Sequence, residues 1–171
     1  MSKVSGTIHL HSLISSVCSD RNDTSRVWFC GEDDARITAS VADAVSAADL
    51  IVICPSNPVL SVAPILIAGG MSEALHGRRG VCVAVSPFIS GQAVKGPAAK
   101  LMPELGMDIS PAGVARYYQS LVDGLVIDSA DESRASDICI PVLVTGTLMR
   151  TDADRARLAH EVLDWAGSLQ R

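Results

Sequence analysis

Beyond Asp49 the chain alternates short apolar runs with stretches of helical period, the arrangement expected of parallel strands joined by crossover helices. Residues 50–53, 81–85, 124–127 and 141–144 are nearly continuous apolar runs, rich in valine, isoleucine and leucine. Strands covered on both faces have this composition, whereas half-exposed strands alternate apolar and polar positions. Before, between and after them the pattern predicts helices over 41–48, 97–105, 111–121 and 152–166. The last has an apolar side of Ala156, Ala159, Val162, Leu163 and Ala166. Pro97 and Pro111 stand where a helix begins, because a proline there loses no intrahelical hydrogen bond. Thr151 or Asp152 is placed to cap the last helix, and Asp152 and Asp154 complement its dipole. Residues 7–10 and 27–29 are further strand candidates, while 15–26 is polar and turn-like. The fold class expected is α/β, with a mainly parallel sheet and flanking helices.

Composition narrows this picture. The chain has 171 residues, the size of one domain, and its 48% apolar and 19% charged residues exclude disorder. A net charge of −5, with no block of Lys or Arg, argues against nucleic acid as a partner. No apolar run approaches the roughly 18 residues of a membrane span, and the start Met1-Ser2-Lys3 lacks a signal-peptide apolar region, so a cytoplasmic location is expected. Cys18, Cys30, Cys54, Cys82 and Cys139 are scattered singly and odd in number, which suits buried thiols better than a disulfide framework.

Chemistry in an open parallel sheet belongs outside the carboxyl ends of the strands, where loops diverge and helix N-termini present free N–H groups. The four predicted strands lead into polar loops beginning at Cys54, Ser86, Asp128 and Thr145, which should line one edge. In Cys54-Pro55-Ser56-Asn57-Pro58, two prolines fix the backbone around a hydroxyl and a carboxamide suited to anionic oxygens; a rigid strand-to-helix turn is the plainer reading. The segment 90–97 combines glycines, Lys95 and a helix start, which suits phosphate, and by composition alone it is equally an ordinary solvated loop. His9 and His11 make at most half a metal site. Asp123 and Asp128 flank a strand, where a carboxylate either binds Mg²⁺ through water or caps a turn. His160 has the place of a surface residue. No dinucleotide, P-loop or nucleophile-elbow signature occurs.

Four ordered segments carry a resemblance. They are Cys54-Pro55-Ser56-Asn57-Pro58-Val59-Leu60-Ser61-Val62, Val83-Ala84-Val85-Ser86-Pro87, Ala93-Val94-Lys95-Gly96-Pro97-Ala98-Ala99-Lys100 and Thr147-Leu148-Met149-Arg150-Thr151-Asp152-Ala153-Asp154. With Gly113-Val114-Ala115-Arg116-Tyr117 and Leu125-Val126-Ile127-Asp128, they resemble the 2-phospho-L-lactate transferases of coenzyme F-420 biosynthesis over about residues 40–166. The resemblance implies a Rossmann-like sheet, incomplete relative to the family. It divides the chain into a poorly matched N-terminal segment, 1–36, and a C-terminal α/β part, 37–171. It further implies transfer of a phospholactyl or phosphoenolpyruvyl group from a guanosine-diphosphate-linked donor to the deazaflavin FO, with release of GMP and with Mg²⁺ as cofactor. Ser56, Asn57, Lys95 and Thr145 would then hold phosphate or nucleotide oxygens.

The departures from the family are as specific. The opening strand with its Gly-Gly-Thr-Gly-Gly-like phosphate loop, and the acidic and basic residues that hold deazaflavin and metal, are not in this sequence, so the catalytic residues are expected outside it and the chain alone is expected to be inactive. Gly146 stands where the family usually has Asp or Asn. Pro103 falls within the helix begun by Pro97, where it removes the bond to Ala99 at a cost of about 3 kcal/mol unless the helix kinks or ends. Two other readings stay open. One is a non-catalytic nucleotide- or phosphate-binding module, similar to the gluconeogenesis-factor proteins that bind nucleotide sugars. The other is a half that docks on a separate N-terminal partner or forms a homo-oligomer.

Overall fold

The computed structural model describes residues 17–18, 28–29, 31–93 and 106–169. Among the described residues eight strands and five α-helices follow in chain order: β1 (Val17–Cys18), β2 (Trp28–Phe29), α1 (Ala39–Ala47), β3 (Leu50–Ile53), α2 (Ala63–Ile67), α3 (Met71–His76), β4 (Val81–Val85), β5 (Phe88–Ile89), β6 (Gln92–Ala93), α4 (Pro111–Tyr118), β7 (Gly124–Asp128), β8 (Val142–Thr145) and α5 (Asp152–Ala166). A wide turn, Pro58–Val62, leads into α2, and 3₁₀ turns, Ser129–Asp137, connect β7 to β8. The four central strands form one parallel sheet in the order β3-β4-β7-β8. Two small antiparallel ribbons, β1-β2 and β5-β6, lie outside it.

Alternation along the strands divides the sheet into two apolar faces. Cys82 and Ala84 of β4 and Leu125 and Ile127 of β7 face Val59, Val62, Phe88, Ala112, Val114 and Tyr118, and the core continues beneath α1 and α3 through Val45, Met71 and Leu75. Val83, Val85 and Val126 face the other way, against Leu158, Val162 and Ala166 of α5. A sheet whose order follows the sequence, crossed by right-handed connections, carries those connections on one face. Among the described helices α5, which follows the last strand, covers the second. Gly124 permits this packing, because a Cβ there would lie 2.6 Å from the Trp165 ring. β3 is an edge strand among the described residues, and its Val52, on the face that α5 covers elsewhere, is 39% exposed.

The four strand positions agree with the apolar runs, with shifts at their ends. β8 starts at Val142 rather than Pro141, whose missing N–H cannot join the ladder, and includes Thr145; β7 extends to Asp128. α1 begins at Ala39, capped by Thr38, and α4 ends at Tyr118, before the predicted limit. Residues 97–105 lie outside the described residues, as do 7–10. Three readings need correction. Val17–Cys18, within the stretch read as turn, pairs with β2. On α5 the buried row is Leu158, Val162 and Ala166, while Ala156, Ala159 and Leu163 are exposed, because the helix turns its i, i+4 row to the sheet. Among the described thiols only Cys82 is buried; Cys54 and Cys139 lie exposed beyond the strand ends.

Candidate functional site

Parallel alignment places the ends of β3, β4, β7 and β8 on one edge, so the loops at Cys54, Ser86, Asp128 and Thr145 share it. Ser56 and Asn57 follow β3 and Thr145 ends β8, at opposite sides of the four-stranded sheet. Three strand spacings, about 14 Å, separate those ends. One phosphate cannot touch both groups, whereas an extended ligand lying across the edge can. Lys95 lies outside the described residues.

Asn57 is built into the start of the helical segment. Its Oδ1 accepts the N–H groups of Val59 at 2.9 Å and Leu60 at 3.0 Å, and its carbonyl accepts those of Ser61 and Val62. These bonds fix the orientation of the side-chain amide. The opposite Nδ2 is buried and has no partner among the described residues. A buried N–H left unsatisfied costs about 1–3 kcal/mol, which a ligand oxygen would offset. Ser56 is half-buried beside it, its N–H donating to the Cys54 carbonyl at 2.6 Å.

The other side of the edge is organised by carboxylates. Asp128, at the end of β7, is 8% exposed; it accepts Thr147 N–H at 2.7 Å, the Thr147 hydroxyl at 3.0 Å and Ala130 N–H at 3.0 Å. Burial by itself would raise its pKa, but the N–H groups of Ala130, Thr147 and Leu148 and the Thr147 hydroxyl outweigh it and hold the carboxyl below its ordinary value. Thr145 donates its hydroxyl to Glu161 of α5, and Arg157 donates to Thr145 Oγ1 at 3.3 Å, to Glu161 at 3.0 Å and to the Gly146 carbonyl at 2.6 Å. Hydrogen bonds from Thr145 and Arg157 lower the Glu161 pKa. A Cβ on Gly146 would stand 3.5 Å from Arg157, ordinary contact, so a carboxylate at position 146 would meet a guanidinium.

Of the two carboxylates flanking β7, Asp128 acts as a cap at the carboxyl edge. Asp123 lies at the opposite edge, where its Oδ2 accepts from Arg78 at 2.7 Å and from Cys82 N–H at 2.8 Å. Among the described residues no three His, Cys, Asp or Glu side chains gather as a metal-ligand set, and Asp128 is occupied by N–H and O–H donors. Sequence reasoning did not single out Asp131, Arg157 or Glu161. The spacing of Arg157 and Glu161, four apart on a helix, was the one available signal.

Fold and edge together define an α/β protein of the Rossmann-like class with polar loops along the carboxyl ends of its strands. A solved UPF0052-family protein from Bacillus halodurans has the same architecture, with a TM-score of 0.50 at 15% identity over 78% of this chain and 49% of its own. The family model of 2-phospho-L-lactate transferase CofD matches residues 3–155, and the chain belongs to that family. Among curated relatives, the 2-phospho-L-lactate transferase of Methanocaldococcus jannaschii is 41% identical over 79% of this chain and 43% of its own length. That of Methanococcus maripaludis strain C5 is 36% identical over 81% and 44%, and that of Halobacterium salinarum 44% identical over 67% and 32%. The chain therefore spans less than half the length of these relatives. No helix among the described residues is long and apolar enough to cross a membrane.

Proposed function

We propose that this chain forms one side of the site of a 2-phospho-L-lactate transferase, binding the guanosine-diphosphate part of the three-carbon donor along its carboxyl edge. In the reaction so assigned, a hydroxyl oxygen of the deazaflavin FO forms a bond to the phosphorus that carries lactate or enolpyruvate. The anhydride bond to GMP breaks, GMP leaves, and the hydroxyl proton passes to a base. Such a transfer depends mainly on positioning and on charge stabilisation. The observation that carries the reading is the buried Nδ2 donor of Asn57, oriented by its own cap and without a partner among the described residues. Ser56 adds a hydroxyl beside it, Thr145 would contact a more distant part of the ligand, and Lys95 would supply counter-charge. We assign Mg²⁺ ligands and the groups that act on the hydroxyl to the part of the relatives that this chain does not span, and the location to the cytoplasm. On its own the chain should bind guanylate weakly and transfer nothing.

The side of β3 left unpaired among the described residues and the exposed Val52 favour a second reading: a further segment, of this chain or of a separate one, pairs there and completes the site beside Asn57. Two substitutions at Asn57 test the site. Asn57→Asp keeps the cap but replaces the free donor with an acceptor, so stability should be retained while GMP binding, measured by calorimetry, is lost. Asn57→Ala should lose both, with about 1 kcal/mol of stability. GMP binding that survives Asn57→Asp would refute this assignment. Transfer activity, assayed with donor, deazaflavin and Mg²⁺, should appear only on mixing with the complementary portion of a relative; robust activity of the chain alone would refute the division of labour.

A further inference from the structure

Two buried carboxylates among the described residues, Asp128 and Asp131, stand at the carboxyl end of β7, and the binding reading above gives neither a ligand. They reach in opposite directions. Asp128 holds the N–H and hydroxyl of Thr147, in the loop after β8. Asp131, three residues on, accepts the N–H of Ser90 at 2.9 Å, in the turn between β5 and β6 after β4. That turn is strained: Ser90 has φ of 51°, a left-handed conformation that a serine rarely adopts, and Gly91 follows at 71°. Such a conformation persists where the surroundings over-determine it, and a charge-assisted bond donated to a buried carboxylate is about twice as strong as a neutral one. The end of β7 is thus tied to the loops of both neighbouring strands.

We infer that Asp128 and Asp131 are positioning residues of the anion-binding edge. Their carboxylates set the Thr147 loop and the Ser90–Gly91 turn in register with the end of β7, so that donors from separate loops converge on one extended ligand. They do not contact that ligand. Asp128 holds the N–H groups of Ala130 and Thr147 and Asp131 that of Ser90, and a second anion beside these carboxylates would be repelled. The inference rests on the binding reading above and gives it a mechanism of preorganisation.

The test compares Asp128→Asn and Asp131→Asn in the full chain, with Asp123→Asn at the opposite edge as a control. Each replacement keeps the shape of the side chain and exchanges an acceptor oxygen for a donor. Amide exchange followed by NMR should accelerate about tenfold or more at Thr147 and Leu148 in Asp128→Asn, and at Ser90 in Asp131→Asn, without the reciprocal effect. GMP affinity, measured by calorimetry, should fall about tenfold in each. Asp123→Asn should lower thermal stability yet leave GMP affinity within about twofold. Should Asp128→Asn fail to fold, Thr147→Val removes only the hydroxyl partner and should weaken GMP about threefold. Unchanged GMP affinity in the edge variants, or an equal loss in Asp123→Asn, would overturn the positioning role alone. No GMP binding by the unaltered chain would overturn the binding reading itself.

Discussion

Arg78 shows how one side chain can secure the edge of the sheet remote from the candidate site. Its side chain is 3% exposed; it donates to the Leu75 carbonyl at 2.6 Å and to Asp123 at 2.7 Å, while Asp123 also accepts Cys82 N–H. One carboxylate thus joins the end of α3 to both β4 and β7. Taking charges out of water is costly, and removing one partner strands the other. The Asp123 side chain is 27% exposed and regains water when Arg78 is lost, whereas the guanidinium cannot regain it when Asp123 is lost. Asp123→Ala should therefore destabilise the chain by about 3–5 kcal/mol and Arg78→Ala by less. Urea unfolding of the two variants would check the order.

Among the elements, α5 is the one whose boundary chemistry is most complete. Thr151 accepts Asp154 N–H while Asp154 accepts Thr151 N–H, a reciprocal capping box, and Asp152 and Asp154 lie in the first turn. α5 is also the only described helix covering the second face of the sheet, and it carries Arg157 and Glu161 to the candidate site. Thr151→Ala should remove about 1 kcal/mol, which lowers Tm by about 2–4 °C in a chain of this size. Differential scanning calorimetry measures it. Because the cap governs the first turn and Arg157 follows one turn later, the same variant should loosen the grip on Gly146.

At the scale of the whole molecule, Asp128 links stability to pH. Its pKa is depressed in the folded chain, so its contribution is fully present above the ordinary carboxylate value of about 3.9 and is lost as pH falls through the folded value. Asp108, Asp154 and Glu161 are depressed too and act in the same direction, but they are solvated and screened by salt. Unfolding free energy measured from pH 6 downward should fall below about pH 4, and Asp128→Asn should flatten that fall. An unchanged slope would locate the acid sensitivity in the other carboxylates.

Local chemistry is why much of this protein was legible in its sequence. Continuous apolar runs mark strands, so β3, β4, β7 and β8 could be found, although only β4 and β7 are buried on both faces, and with them the edge that groups Cys54, Ser86, Asp128 and Thr145. Thr151 and Pro111 mark helix starts through side-chain and ring properties that act within one turn. Short pieces such as β1, the β5-β6 turn and the 3₁₀ turns have no sequence period, and they exist because tertiary partners hold them. Which side of α5 faces the sheet was likewise decided by packing, since Leu163 and Leu158 are equally apolar but only one meets Val126 and its neighbours. Hydrogen bonds between distant residues decided the rest. The sequence marked Asn57 as polar and proline-flanked, but the fold oriented its amide. The sequence placed Asp131 in a charged stretch, but the fold brought it to Ser90, 41 residues away, because a buried carboxylate must find its donors wherever the chain returns them.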